Sequence, residues 1–101
     1  MYYLLDENNV PYEVTIEEYS ESDLWKENTK KIVGRDTLGD ILVSTVFLGM
    51  NHDFFGESPE PILFETMIFG GEHDGYCIRA TSWEKAEEIH KQALELITPK
   101  N

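Results

Sequence analysis

The chain has 101 residues, 41% hydrophobic and 12% aromatic, and twenty Asp and Glu against eight Lys and Arg give a net charge of −12. That length fits one domain, 1–101, and excludes a large enzyme with separate cofactor and substrate domains. The acidity disfavours direct binding to a nucleic-acid backbone or an anionic membrane, which needs clustered Lys and Arg, and no run reaches the ~18 apolar residues of a membrane span.

The opening Met1-Tyr2-Tyr3-Leu4-Leu5 meets Asp6 and Glu7 with no basic stretch before it, so no signal peptide is expected. A single cysteine, Cys77, leaves no intramolecular disulfide and fits a reducing cytoplasm. Residues 1–28 hold eight acids and one base, Lys26. Such a stretch reads first as a solvated face. Its sharper reading is a face that meets a basic partner or imitates nucleic acid.

In chain order, Tyr2 to Leu5 and Val10 to Val14 are short strand-like runs around the turn cluster Asp6-Glu7-Asn8-Asn9, which predicts an N-terminal hairpin. Pro11 keeps the second run at an edge. Thr15-Ile16-Glu17-Glu18 reads as a capping box and opens a helix over about 16–28. Ile16, Tyr19, Leu24 and Trp25 are its expected core contacts, and its polar content predicts a break near Ser20 to Ser22. Lys30 to Thr37 reads as a strand, and Leu38-Gly39-Asp40 as a turn.

The run Ile41 to Leu48 is β-branched and apolar on both alternations, which predicts a central strand covered on both faces. A loop from Gly49 to Pro61 follows, then a strand from Ile62 to Phe69 closed by Gly70-Gly71. Tyr76 to Thr81 is the last strand, with Tyr76, Ile78 and Ala80 on one face and Cys77, Arg79 and Thr81 on the other. Thr81-Ser82-Trp83-Glu84 reads as a second capping box. The stripe Trp83, Ala86, Ile89, Ala93, Leu94, Leu96 and Ile97 marks a C-terminal helix, stopped by Pro99. The expected class is α+β. A meander of about four antiparallel strands, plus the N-terminal hairpin, carries one helix before it and a C-terminal helix packed on it.

The loop Gly49–Pro61 is long for a compact domain, and such loops often carry function. It sets His52 and Asp53 beside two rings, Phe54 and Phe55. The rings either tuck the loop onto the core or form a stacking wall for a ligand. Glu65 stands in an otherwise apolar strand. If its face is covered it needs a partner such as Arg35, Arg79, Lys30 or the Thr45 hydroxyl; otherwise it faces water. The pairs His52-Asp53 and His73-Asp74 have donor types for a divalent cation, but both fall in loops without further histidine nearby, so no metal is expected. Cys77 has no base close in sequence and reads as a buried or half-buried packing thiol. His90, at the margin of the helical stripe, reads as a boundary histidine. No phosphate-cradling or nucleophile-elbow motif occurs, and no cofactor is expected.

Val43 to Phe54, with Pro61 to Gly71, resembles a family of small proteins of unassigned function encoded in tailed bacteriophages and prophages. Its members share an S-T-V-F-L-G-x-x-H-x-F strand and loop and a P-x-L-F-E-T-M-x-F-G-G strand. A T-W-x-x-A-x-x-x-H helix start follows, which here carries Ser82 between Thr81 and Trp83. Tyr3-Leu4-Leu5-Asp6-Glu7-Asn8 and Pro11 also look like that family's opening. The resemblance implies a phage origin and the host-cell cytoplasm, and it implies no activity.

The expected function is a non-enzymatic binding protein acting on a host protein or a small host signalling molecule, in host physiology or defence. Its recognition residues would be His52, Asp53, Phe54, Phe55, Glu65, Arg35 and Arg79, and it could form a homo-oligomer. The alternatives are a small hydrolase using His52 and Asp53, and a structural or housekeeping phage protein with no site.

Overall fold

The computed structural model describes residues 2–22, 32–51, 56 and 59–99. Strands β1 (Tyr2–Leu5) and β2 (Pro11–Val14) form the antiparallel hairpin, with Tyr2 opposite Val14 and Leu5 opposite Pro11. The Asp6 carboxylate builds its turn by accepting from the N–H groups of Asn8 and Val10, at 2.8 and 3.0 Å. Asn9 takes φ +62°, a conformation that asparagine tolerates better than most residues.

Helix α1 (Ile16–Glu21) opens on the expected capping box: Thr15 accepts from Glu18 N–H, and the Glu18 carboxylate reaches back to Thr15 N–H. It ends at Glu21, at the break that the sequence predicts near Ser20 to Ser22, and positions 23–28 of the expected helix lie outside the described residues. Ser22 is already extended, with its N–H and hydroxyl turned back to the Tyr19 carbonyl. Serine competes for backbone in this way and weakens helix continuation. Ile16 is exposed, contrary to expectation, because it sits at the solvent side of this single turn and a half. Tyr19 does pack inward, with its ring 4.9 Å from that of Tyr2. The expected contacts Leu24 and Trp25 lie outside the described residues.

Strands β3 (Ile32–Leu38), β4 (Ile41–Phe47), β5 (Phe64–Phe69) and β6 (Cys77–Ala80) form a four-stranded antiparallel meander in the order β3-β4-β5-β6. Helix α2 (Trp83–Ile97) lies across one face of it. Its N-cap is Ser82, which accepts from Lys85 N–H at 3.2 Å, one residue later than the Thr81 box predicts. The third helical position is then Lys85 rather than Glu84, so the reciprocal carboxylate contact is not made.

Two apolar clusters lie between α2 and the sheet. One holds Phe47, Leu63, Phe64, Ala80 and Ala86, and the hairpin residues Tyr3, Leu4 and Leu5 close it. Within it the Phe64 ring meets Trp83 edge-on, 6.2 Å away. The other cluster joins Val43 and Ile68 to Ala93, with Ile41, Tyr76, Leu94 and Ile97 around them. Alternation places the opposite side chains of β4, Leu42, Ser44 and Val46, on the far face. No described element packs on that face as α2 packs on the other, yet no residue of β4 is exposed and Ser44 is buried, which fits a central strand. No helix among the described residues is long and apolar enough to cross a membrane.

Candidate functional site

Between the two apolar clusters runs a polar layer. Register puts Thr45 of β4 directly opposite Thr66 of β5, a close side-chain neighbour in an antiparallel pair. Both are fully buried, and their hydroxyl oxygens stand 2.7 Å apart. His90 of α2 descends onto them between Ala86 and Ala93, the two small buried residues of that helix. Its Nδ1 lies 2.7 Å from Thr45 Oγ1, and its Nε2 lies 2.7 Å from Asp36 Oδ2 on β3. A carboxylate only accepts, so it fixes a proton on Nε2. With the ring neutral, Nδ1 then accepts from the Thr45 hydroxyl, which accepts in turn from Thr66. Every buried side-chain nitrogen and oxygen among the described residues has a partner, and each such bond contributes about 1 kcal/mol net.

Strand β3 is shaped around the imidazole. A register shift between Ile32 and Gly34 marks a bulge. Bulges re-aim a side chain, and here Val33 turns onto the core under α2. The next residue must then lack a side chain: a Cβ on Gly34 would stand 2.9 Å from His90 Nε2. The sequence reading of His90 as a boundary residue is therefore corrected. It is 7% exposed and bonded at both nitrogens.

Beside this chain lies a solvent-open pocket of about 240 Å³ between β3 and α2. Val33 and Leu94 make its apolar wall, His90 its inner edge, and Asp36, Glu87 and Lys91 its rim. Glu87 and Lys91 sit one turn apart on α2, yet neither side chain has an ion-pair or hydrogen-bond partner among the described residues. Two carboxylates face one ammonium there, so the rim attracts a positively charged group. The Thr45 hydroxyl is sealed beneath His90 and does not reach the pocket.

Three of the sequence-nominated residues stand on the other face of the sheet. Arg79 Nε donates to Glu65 Oε2 at 3.1 Å, which supplies the partner that Glu65 needs. Arg35 sits on β3 opposite Ser44, exposed, on the same face. Thr45, the hydroxyl considered for Glu65, points the other way, to His90. His52, Asp53, Phe54 and Phe55 lie outside the described residues, as do Lys30 and Lys31. Cys77 is exposed rather than packed, because β6 is an edge strand of the four and its side chain takes the face opposite α2. Desolvation and the adjacent Glu65 carboxylate push its thiol above the usual range, against the opposing pull of Arg79. Asp74 accepts from Gly70 N–H in the turn before β6, and His73 stands 3.9 Å from Glu72.

Sequence reasoning misses Asp36 and Thr66. The available signal is a histidine flanked by alanines three and four residues away on a core stripe, facing two apolar strands with one threonine each. Only register reveals that these threonines meet. No family model, no curated protein and no solved structure matches the chain.

Proposed function

We propose that the chain is a non-enzymatic binding protein, encoded by a tailed bacteriophage or a prophage, that acts in the host cytoplasm on a host component. The S-T-V-F-L-G-x-x-H-x-F and P-x-L-F-E-T-M-x-F-G-G motifs support the origin. The observation that carries the binding reading is the pocket between β3 and α2. Its aliphatic wall and two-carboxylate rim suit a basic group on an apolar stem, borne by a protein side chain or a small signalling molecule. The neighbouring hydroxyl, imidazole and carboxylate argue for binding over hydrolysis. A general base or nucleophile must reach its substrate, whereas Thr45 is sealed and both His90 nitrogens are engaged.

The test is recovery of a host component. The full chain and a Leu94→Glu variant are exposed to host extract and examined by native mass spectrometry. A species retained by the parent chain and lost from the folded variant supports the reading. No retained species, or equal retention by both, removes the pocket from it. Turnover of a generic ester or phosphodiester by the purified chain would restore the hydrolase alternative.

A further inference from the structure

The pocket lies at an edge of the sheet. Among the described residues β3 pairs with β4 on one side only. Arg35, Asp36, Thr37 and Leu38 are exposed in succession, on both faces of the strand. No residue of β4 lines the pocket, so it opens past β3, beneath the side of α2 that carries Glu87, Lys91 and Leu94. A strand added to β3 would lie about 4.8 Å further out, in that space. Extended segments bind exposed sheet edges in this way, with main-chain bonds for affinity and pockets for alternate side chains.

Register determines what such a strand would meet. Leu38 stands opposite Ile41 across the two-residue turn Gly39-Asp40, and Gly39 has the positive φ, +59°, that suits the first position of such a turn. That closing pair exchanges its hydrogen bonds, and the pattern alternates back along the ladder. Leu38 and Asp36 therefore turn their N–H and C=O groups to β4, whereas Thr37 and Arg35 turn theirs outward. An antiparallel segment bonded to Thr37 and Arg35 sets one residue directly across from Asp36, in the closer kind of pair. Asp36 faces α2, since its Oδ2 is bonded to His90, and its side chain is 54% exposed. The side chain across from it enters the rim formed by Asp36, Glu87 and Lys91, and the next inward one, two residues on, meets Val33 and Leu94. Glu87 has no partner among the described residues. Two carboxylates against one ammonium favour a cation at the first position, and a planar guanidinium can bond to both. A second copy of this chain, at net charge −12, is the less favoured occupant.

We infer that the pocket takes an extended segment of a partner protein, added antiparallel to the outer edge of β3, with a basic-x-aliphatic pattern at its centre. The inference rests on the binding role proposed above for the pocket and adds the main chain of β3 to it.

The test titrates the full chain with the blocked pentapeptide acetyl-TRTVT-amide and follows it by amide NMR. Binding with a Kd below about 1 mM is expected. At saturation, hydrogen exchange at the Arg35 and Thr37 amides should slow about tenfold or more, and that at Asp36 should not change. Methylating the amide nitrogen of the central threonine of the peptide removes its bond to the Arg35 carbonyl and should weaken binding about fivefold. Glu87→Gln, on the exposed rim, should weaken it about threefold. A methylated peptide that binds as the parent peptide does, or unchanged exchange at Arg35 and Thr37, overturns the strand addition. In that case, binding that is still lost in folded Leu94→Glu keeps the pocket as a binding site, and binding equal to the parent chain's removes the pocket as well. No peptide binding at about 5 mM also overturns the inference, and the pocket is then judged by the species retained from host extract.

Discussion

The two faces of the four-stranded sheet differ in where their polar groups stand. The face under α2 buries a threonine pair, a histidine and part of an aspartate between two apolar clusters, whereas the far face mixes Leu42, Val46, Met67 and Phe69 with Arg35, Ser44, Glu65 and Arg79. Burial of polar groups is costly unless each is bonded, and the covered face meets that condition through one continuous chain from Thr66 to Asp36. The chain also separates the Phe47–Phe64 cluster from the Val43–Ile68 cluster. A helix shifted by one turn would break the bonds that His90 makes to either side, so the layer fixes where α2 sits. Apolar packing by itself would fix that less tightly, because hydrophobic contact is non-directional. The far face has no such directional element among the described residues apart from the Glu65–Arg79 pair.

The largest effect should come from the centre of the covered face. His90→Ala removes the ring, leaves the threonine pair without its third partner and opens a cavity. It should cost about 3 kcal/mol or more in urea unfolding. A loss below about 1 kcal/mol would mean that the polar layer does not hold α2.

Gly34→Ala attacks the same layer from β3. Its Cβ would crowd the imidazole at 2.9 Å from Nε2, and that ring is held at both nitrogens by Thr45 and Asp36 and so cannot swing aside without losing a bond. The expected cost is about 1–3 kcal/mol. It should be strongly non-additive with His90→Ala, because the clash disappears with the ring. Additive losses in that cycle would place the Gly34 effect elsewhere.

On the far face the effects are smaller. Arg79 is 45% exposed at its side chain, and ion pairs in contact with water contribute below about 1 kcal/mol. Arg79→Ala should therefore change stability by less than that, measured at a concentration where the chain is one species. A loss as large as that of His90→Ala would mean that the far face is as directional as the covered one.

The smallest effect is a rate. Because desolvation and Glu65 push the Cys77 thiol upward, the pH at which its alkylation accelerates should lie above that of an ordinary exposed thiol. Glu65→Gln removes the carboxylate contribution and should move that acceleration to lower pH. An unchanged profile would leave desolvation as the only cause.

The elements themselves are legible in the sequence, because each signal is local. The Thr15–Glu18 box, the Asp6–Asn9 turn and the α2 stripe all act between near neighbours along the chain, and each forms where expected, except that Leu96 of the stripe is exposed. The alternation of Tyr76–Thr81 also assigns its two faces correctly, with Ala80 inward and Cys77 and Arg79 outward. Glu65 reads as a carboxylate that needs a partner if covered, and Arg79 is among the residues that could supply one.

The sequence by itself therefore determined the α+β class, the meander, the hairpin and the position of the long helix, since periodicity and capping depend only on near neighbours. Tertiary structure alone decided which face is inside. An apolar run such as Ile41 to Leu48 reads the same whether one side or both are covered. It also decided that His90 is a core residue, because that depends on Thr45, Thr66 and Asp36 converging across separations of 45, 21 and 54 residues. Those separations are set by strand register and by the bulge beside Gly34. A one-residue slip would send every side chain of a strand to the other face, and no local pattern in this chain states the register that prevents it.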